Sequence, residues 1–271
     1  MPEAPPTPSP LATAEPWDLV ASAYAAEALR HFEVYARAAI ALAALPPAPR
    51  VADVAAGPGT ISVEIARAGG RASAIDLSAA MLAELRRRAE AAGVAGAIDV
   101  HLGDAQELPF ESGAYDAAFS MFGLMFFPDR HAGLLEMRRV LKPGGRGVVS
   151  SWVPFSGPFG VLMETMRELI PGLPLGGRQA LSTPEEIVNE MTAAGFRDAR
   201  VEIVPHAITH PSFDAMWDSL ERTNAPLVLL QRRLGERWTA MAPKIRERVR
   251  GTLGEGELTL GRGAYVGIAL A

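Results

Sequence analysis

The chain contains no cysteine, so it has no disulfides and no thiolate metal sites, and it fits a reducing compartment. It has no apolar run of membrane-spanning length and no basic-then-apolar leader, which predicts a cytoplasmic protein that inserts into no membrane. Basic residues are not in excess. A formal net charge of −5 argues against a nucleic-acid partner and leaves a small molecule as the expected one. Two phosphate-binding fingerprints are missing as well. There is no Gly-Lys-Ser/Thr of a P-loop, and Ser62 stands where a dinucleotide-binding G-x-G-x-x-G would place its third glycine.

What is present suffices for a full core: 271 residues, 49% of them hydrophobic, as one large domain or one with an appended part. Residues 1–16 are rich in proline and predict a disordered tail. Helical spacing over residues 17–45 predicts two alanine-rich helices, which end at Pro46-Pro47-Ala48-Pro49. Arg50-Val51-Ala52-Asp53-Val54 then reads as a buried strand, Ala55-Ala56-Gly57-Pro58-Gly59 as a tight turn, and Thr60 as the start of a helix. Strand, glycine turn and helix form a ligand cradle, because glycine admits close backbone approach and a helix N-terminus offers unpaired N–H groups.

Strand and helix go on alternating, the pattern of a parallel sheet covered on both faces. The strand at residues 71–76 ends on Asp76, about 20 residues past the turn, where a ribose-binding acid belongs. Ser78 caps the next helix, whose Arg86-Arg87-Arg88 run reads as a solvated face. The strand at residues 98–102 runs into Gly103-Asp104-Ala105-Gln106-Glu107-Leu108-Pro109-Phe110, where Asp104 can accept from an exocyclic amine while the Ala105 backbone meets the ring. A fourth strand covers residues 115–120. Pro128-Asp129 opens a helix through Val140, and Leu141-Lys142-Pro143-Gly144-Gly145 turns into a strand over residues 146–152.

The stretch Asp53-Val54-Ala55-Ala56-Gly57-Pro58-Gly59-Thr60 resembles motif I of the class I S-adenosylmethionine-dependent methyltransferases, with Ala55 where many members have the first glycine. Gly103-Asp104-Ala105 through Leu108-Pro109-Phe110 resembles the corresponding loop of the ubiquinone/menaquinone-biosynthesis methyltransferases, and Leu141-Lys142-Pro143-Gly144-Gly145 is a further hallmark of that group. The likeness covers residues 50–152. It implies an α/β Rossmann-like fold: a mostly parallel seven-stranded sheet with helices on both faces, a helical lid over residues 17–49, and the rest of the sheet with helical insertions in residues 153–271. It also implies methyl transfer from S-adenosyl-L-methionine to a hydrophobic small molecule at O, C or N. The alternative is a protein that keeps the fold and transfers no methyl. The cofactor-binding set it implies is Tyr24 of the lid, Asp53, Ala55, Gly57, Pro58, Gly59, Asp76, Leu77, Met81, Asp104, Ala105 and Ser120.

Residues 120–127, Ser-Met-Phe-Gly-Leu-Met-Phe-Phe, should lie beside the methyl group, and they offer no acid or base. Phe122, Met125 and Phe126, with Trp152, predict an apolar acceptor pocket. A base, where the acceptor needs one, has to come from elsewhere. Of the five histidines, His101 and His131 read as structural or surface residues. His31 in the lid, and His206 and His210 after the sixth strand, are the candidates, with His206 first. His206 and His210 sit on extended chain, which makes a metal site unexpected.

Residues 153–181 predict an insertion over the substrate, Thr183-Pro184-Glu185-Glu186 a capped helix, residues 196–204 the sixth strand, and residues 258–270 the last. Between the last two lies a helical block, residues 212–252, which either packs on the body, walls the pocket or forms a homodimer contact.

Overall fold

Alternation of side chains along each strand decides which helices each face of the sheet receives. One face presents Val51, Ala117, Phe119, Val148, Val266 and Ile268, and it buries Ala36, Ala39, Ala43, Ile61 and Ile65. The other presents Ala52, Val54, Ala118, Val149 and Ala269 to Leu134, Met137, Ile187 and Met191. The computed structural model describes residues 9–154, 157–169 and 180–271. Residues 1–8 of the expected tail and residues 155, 156 and 170–179 of the expected insertion lie outside the described residues.

The strands are β1 (Arg50–Val54), β2 (Arg71–Asp76), β3 (Ile98–Leu102), β4 (Tyr115–Met121), β5 (Leu141–Trp152), β6 (Arg197–Val204), β7 (Ala207–His210), β8 (Leu258–Gly261) and β9 (Ala264–Leu270). A seven-stranded sheet has the order β3-β2-β1-β4-β5-β9-β6, and β7 pairs with β8 in a separate ribbon. Strands β1 to β5 are parallel, and β9 alone runs against its neighbours β5 and β6. The strand order reverses between β1 and β4, so a crevice opens at their C-terminal ends, where doubly wound folds bind ligands.

The helices are α1 (Glu15–Ala23), α2 (Leu29–Ala43), α3 (Thr60–Arg67), α4 (Ala79–Ala91), α5 (Arg130–Val140), α6 (Gly157–Leu169), α7 (Pro184–Ala193), α8 (Phe213–Thr223), α9 (Ala225–Leu234) and α10 (Glu236–Leu253). Ser78, Asp129, Thr183, Ser212 and Asn224 each cap a helix through the side-chain oxygen.

The structure departs from the sequence reading in five places, the first being that Leu141-Lys142-Pro143-Gly144-Gly145, expected as a turn, is the irregular start of β5. Ordered chain begins before Trp17: a 3-10 turn at Pro10–Ala12 buries Leu11, whose carbonyl accepts from Trp17 Nε1 at 3.0 Å. The N-terminal helices are nearly continuous, joined by a π-helical segment, Tyr24–Ala28. The C-terminal half of α2 belongs to the core, because Ala36, Ala39 and Ala43 are fully buried against the sheet and their small side chains let the helix approach closely. The first part of the joined helices packs elsewhere, α1 on α4 and α9 and the π segment on α8. The final strand is two strands, because Arg262 and Gly263 turn the chain from the β7–β8 ribbon into β9.

The helical block has a core of its own. Phe213, Met216, Trp217, Leu227, Leu230, Trp238, Ile245 and Val249 pack with Leu258 and Leu260 of the ribbon. It also grips α1: Val20 and Ala21 are buried between Met81 of α4 and Ala225 of α9. Glu27 accepts from Arg222 at 2.7 and 3.0 Å and from Ser219 at 3.1 Å. Packing on the body, one of the three roles open to it, is thus the one the contacts describe.

Candidate active site

The cradle is built by positive-φ backbone. Ala55 (φ 57°), Gly57 (54°) and Gly59 (76°) all adopt the left-handed conformation between β1 and α3. The two glycines serve different ends. A Cβ on Gly57 would meet nothing within 4 Å, so its face is open to a ligand. A Cβ on Gly59 would lie 2.6 Å from Leu85 Cγ, so that glycine lets α4 approach the turn. Gly123 does the same from β4, since a Cβ there would fall 2.4 Å from the Ala55 Cβ.

Carboxylates then fix the turn. Asp53, 2% exposed, accepts from Ser62 N at 3.0 Å and Ser62 Oγ at 2.6 Å, which ties the first turn of α3 to β1. Burial pushes its carboxyl up to about 7. Asp76, at the end of β2, accepts from Gly57 N and Ser78 N, both at 2.8 Å. Burial raises its pKa too, and Asp18 adds to the rise. Asp18 comes from α1, where it accepts from Ser78 Oγ at 2.6 Å and Ala80 N at 3.2 Å. Leu77, beside Asp76, is 41% exposed. Asp104 is exposed at the end of β3, held by Gln106 N at 2.8 Å and by Gln106 Nε2, and Ala105 next to it is buried.

The structure thus brings Ala55, Gly57, Asp76, Leu77 and Asp104 to the C-terminal ends of three adjacent strands. It gives other work to several candidates. Asp53 braces the turn from below. The Pro58 carbonyl accepts from Arg88, which also pairs with Glu33 at 2.8 Å. Arg88 therefore leaves the solvated face expected for its run and supports the cradle. Met81 is shut in the α1 contact, and Ser120 Oγ accepts from Leu124 N at 3.1 Å, shaping the turn after β4.

Tyr24 lies in the π segment with its ring 5.0 Å from Phe32, and burial raises its pKa. Phe122, at φ 58°, stacks on Trp152 with ring centres 4.0 Å apart, while Phe32 and Tyr35 meet both edge-on. Phe126 packs on Trp17 at 5.1 Å and Met125 joins the same group. Phe122, Met125 and Trp152 are brought together with Phe32 and Tyr35, which helical spacing alone could not distinguish from core, while the ring contact of Phe126 is with Trp17.

Of the three candidate bases, two meet directly. His31 Nδ1 and His206 Nε2 are 3.2 Å apart, and Arg30 Nε donates to His31 Nε2 at 3.2 Å. Arg30 has only donors, so the proton of neutral His31 stands on Nδ1 and is given to His206 Nε2. Burial lowers the pKa of all three histidines, His31 to about 4, with Arg30 and Arg262 adding to the effect there. The Arg262 guanidinium lies 4.3 Å over the Trp152 ring, and within residues 258–270, which read as one strand, nothing in the sequence sets this arginine apart. A cleft of about 730 Å³ beside Arg50, Ser73, Asp99, His101 and Tyr115 lies toward the strand starts, away from this constellation. Among the described residues no cluster could hold a metal ion, and no helix is long and apolar enough to cross a membrane.

A doubly wound sheet with a glycine cradle at its switch point defines a ligand-binding α/β protein. Residues 51–145 match the family model described as a methyltransferase domain. A demethylmenaquinone methyltransferase of Beutenbergia cavernae is 42% identical over 125 residues, 44% of this chain and 49% of its own length. The chain spans about half the length of the curated relatives it matches. In fold, it resembles the cyclase SpnF (TM-score 0.62, 18% identity, 98% of each chain). It also resembles phosphoethanolamine N-methyltransferase 2 of Haemonchus contortus in complex with S-adenosyl-L-methionine (TM-score 0.54, 17% identity, 87% of this chain and 52% of that one).

Proposed function

We propose that the chain binds S-adenosyl-L-methionine across the ends of β1, β2 and β3 and transfers its methyl group to a hydrophobic small molecule. The observation that carries this is the meeting of Gly57, whose face is open, with Asp76, which grips the Gly57 N–H, within the residues that match the methyltransferase domain model. In this reading Asp76 accepts from the ribose hydroxyls, Leu77 lies on the adenine, Asp104 and the Ala105 backbone meet its edge, and Tyr24 closes from above. The cofactor, when bound, supplies an electrophilic methyl on a cationic sulfonium. Phe122, Met125, Phe126 and Trp152 hold the acceptor in line and exclude water, and such positioning supplies most of the rate where the acceptor is already nucleophilic. Where it is not, His210 takes the proton rather than the expected His206, because the one basic nitrogen of neutral His206, Nε2, already accepts from His31 Nδ1.

Calorimetric titration with S-adenosylmethionine tests the site. Asp76→Ala should weaken binding by about 1.5–3 kcal/mol, and Asp76→Asn by less, since an acceptor oxygen remains. Unchanged affinity in Asp76→Ala would remove the ribose assignment. A second reading, a non-methylating protein of the same fold, is favoured by the end-to-end likeness to SpnF. Formation of S-adenosylhomocysteine with any of a panel of acceptors decides between the two.

A further inference from the structure

Two arginines beside the acceptor wall have no part in that reading. Basic side chains converge there from three parts of the chain: Arg30 and His31 from α2, His206 and His210 from the β7 region, and Arg262 from the turn into β9. The His31–His206 and Arg30–His31 contacts, 3.2 Å each, knit the first group together, and the His206 ring stands edge-on to Tyr35 with centres 5.6 Å apart. Tyr35 donates its hydroxyl to the Arg262 carbonyl, and Arg262 N donates to the His206 carbonyl at 2.8 Å, so the Arg262 backbone is fixed from two sides.

The side chain of Arg262 lies over Trp152, Trp152 stacks on Phe122, and Phe122 adjoins Gly123, which abuts Ala55 of the cradle. A cation therefore stands at the far end of an aromatic wall that begins at the cradle. The charges that depress the three histidines are themselves basic: Arg262, Arg30, and on His31 its two fellow histidines. Glu27, which feels Arg30, is clamped by Arg222 and Ser219. In a chain of net charge −5 this seam is a local reversal of sign.

We propose that the seam recognises an oxyanion on the acceptor, a carboxylate in the simplest case, carried by an aromatic or apolar body that lies along Phe122 and Trp152, with Arg262 as the residue that takes it. A guanidinium lying over an indole is held in place by the ring, and its planar fork of N–H groups is the geometry that meets a carboxylate in two parallel bonds. The His31–His206 pair leaves one neutral donor, the His206 Nδ1–H, and the aromatic surround strengthens the pairing. The inference rests on the acceptor lying against that wall, as the methyl-transfer reading has it.

The test is a matched pair, 6-hydroxy-2-naphthoate and 6-hydroxy-2-naphthamide, titrated calorimetrically at pH 7.5 into protein saturated with S-adenosylhomocysteine. The acid should bind about tenfold or more tighter than the amide. Arg262→Gln should bring that ratio to about threefold or less and Arg262→Lys should keep part of it, both with unchanged affinity for S-adenosylhomocysteine. Equal binding of the pair, no binding of the acid, or an undiminished ratio in Arg262→Gln overturns the proposal. Should the Gln variant not fold, the wild-type ratio and the Lys variant decide. If S-adenosylhomocysteine itself fails to bind, the cofactor reading falls, and the acid-to-amide ratio of the protein alone still decides the seam.

Discussion

A carboxylate shut inside a protein has to be held by hydrogen bonds or give up its charge, and Asp53 does some of each. Its carboxyl stands at about 7 in the folded chain against 3.8 when exposed, so between those values the folded state holds the proton more tightly. The contribution of this group to stability therefore falls as pH rises from about 4 to about 7. Asp53→Asn keeps an acceptor for Ser62 N and removes the titration. Urea denaturation at pH 5 and pH 8 should show wild type losing stability relative to Asp53→Asn, by an amount on the order of a few kcal/mol. A parallel pH response would show that Asp53 is ionised throughout. The two cradle glycines separate in the same way. Gly59→Ala drives a Cβ into Leu85 at positive φ and should cost about 2–4 kcal/mol of stability. Gly57→Ala should cost about 1 kcal/mol, while cofactor affinity suffers the larger loss, because the methyl group occupies the open face. Denaturation and calorimetry on both variants would reverse these assignments if the effects were exchanged.

At the level of elements, the N-terminal segment that we propose as a lid is tied down at both ends. Asp18 holds α1 to the start of α4, while Glu27 holds the π segment to α8. The His31 imidazole is kept neutral down to about 4 by burial, then by Arg30, His206, His210 and Arg262; Tyr35 faces its partner His206. In an opened lid it returns toward 6.5, so the closed form binds fewer protons between those values. Closure is favoured in full above about pH 6.5 and weakens as pH falls toward 4. Hydrogen exchange over residues 15–35, corrected for intrinsic rates, should show protection at pH 7 that declines by pH 5, and His31→Gln should flatten the decline. Equal protection in wild type at both pH values would count against it.

The strands, caps and cradle were legible because each is a local device. Period-two apolar runs, Ser78 and Thr183 as caps, and the Gly-Pro-Gly turn are read within a few residues. The lid boundary was not, because Ala36, Ala39 and Ala43 have the same helical spacing whether they face a sheet or a ligand. Arg262, Asp18 and Gly123 were hidden for a related reason. Each acts on a partner far away in sequence: Arg262 on Trp152, Asp18 on Ser78, Gly123 on Ala55. His206 was chosen for its place after the sixth strand, and its contact with His31 across 175 residues had no sequence signal.

Across the whole molecule, the sheet and the helical block have separate cores, and one nearly continuous N-terminal helix runs between them. Val20 and Ala21 on its first part face α4 and α9, while Phe32 and Tyr35 on its second face the aromatic wall. The π segment at Tyr24–Ala28 stands between them, and its wider turn amounts to one residue more than an α-helix would use. Counted as an angle, one residue is about 100° of rotation, so the segment acts as a phase shifter between two faces that a regular helix could not satisfy at once. Inserting one alanine after Ala26 exceeds what the wide turn absorbs and would carry Arg30, His31 and Tyr35 about a quarter-turn around the axis, with the helix itself intact. Circular dichroism should then report undiminished helix while the acid-over-amide preference at Arg262 disappears. Retention of that preference would mean that the phase of this helix is set elsewhere. A single codon gained in this pair of alanines would in this way separate the capacity to fold from the capacity to choose a substrate.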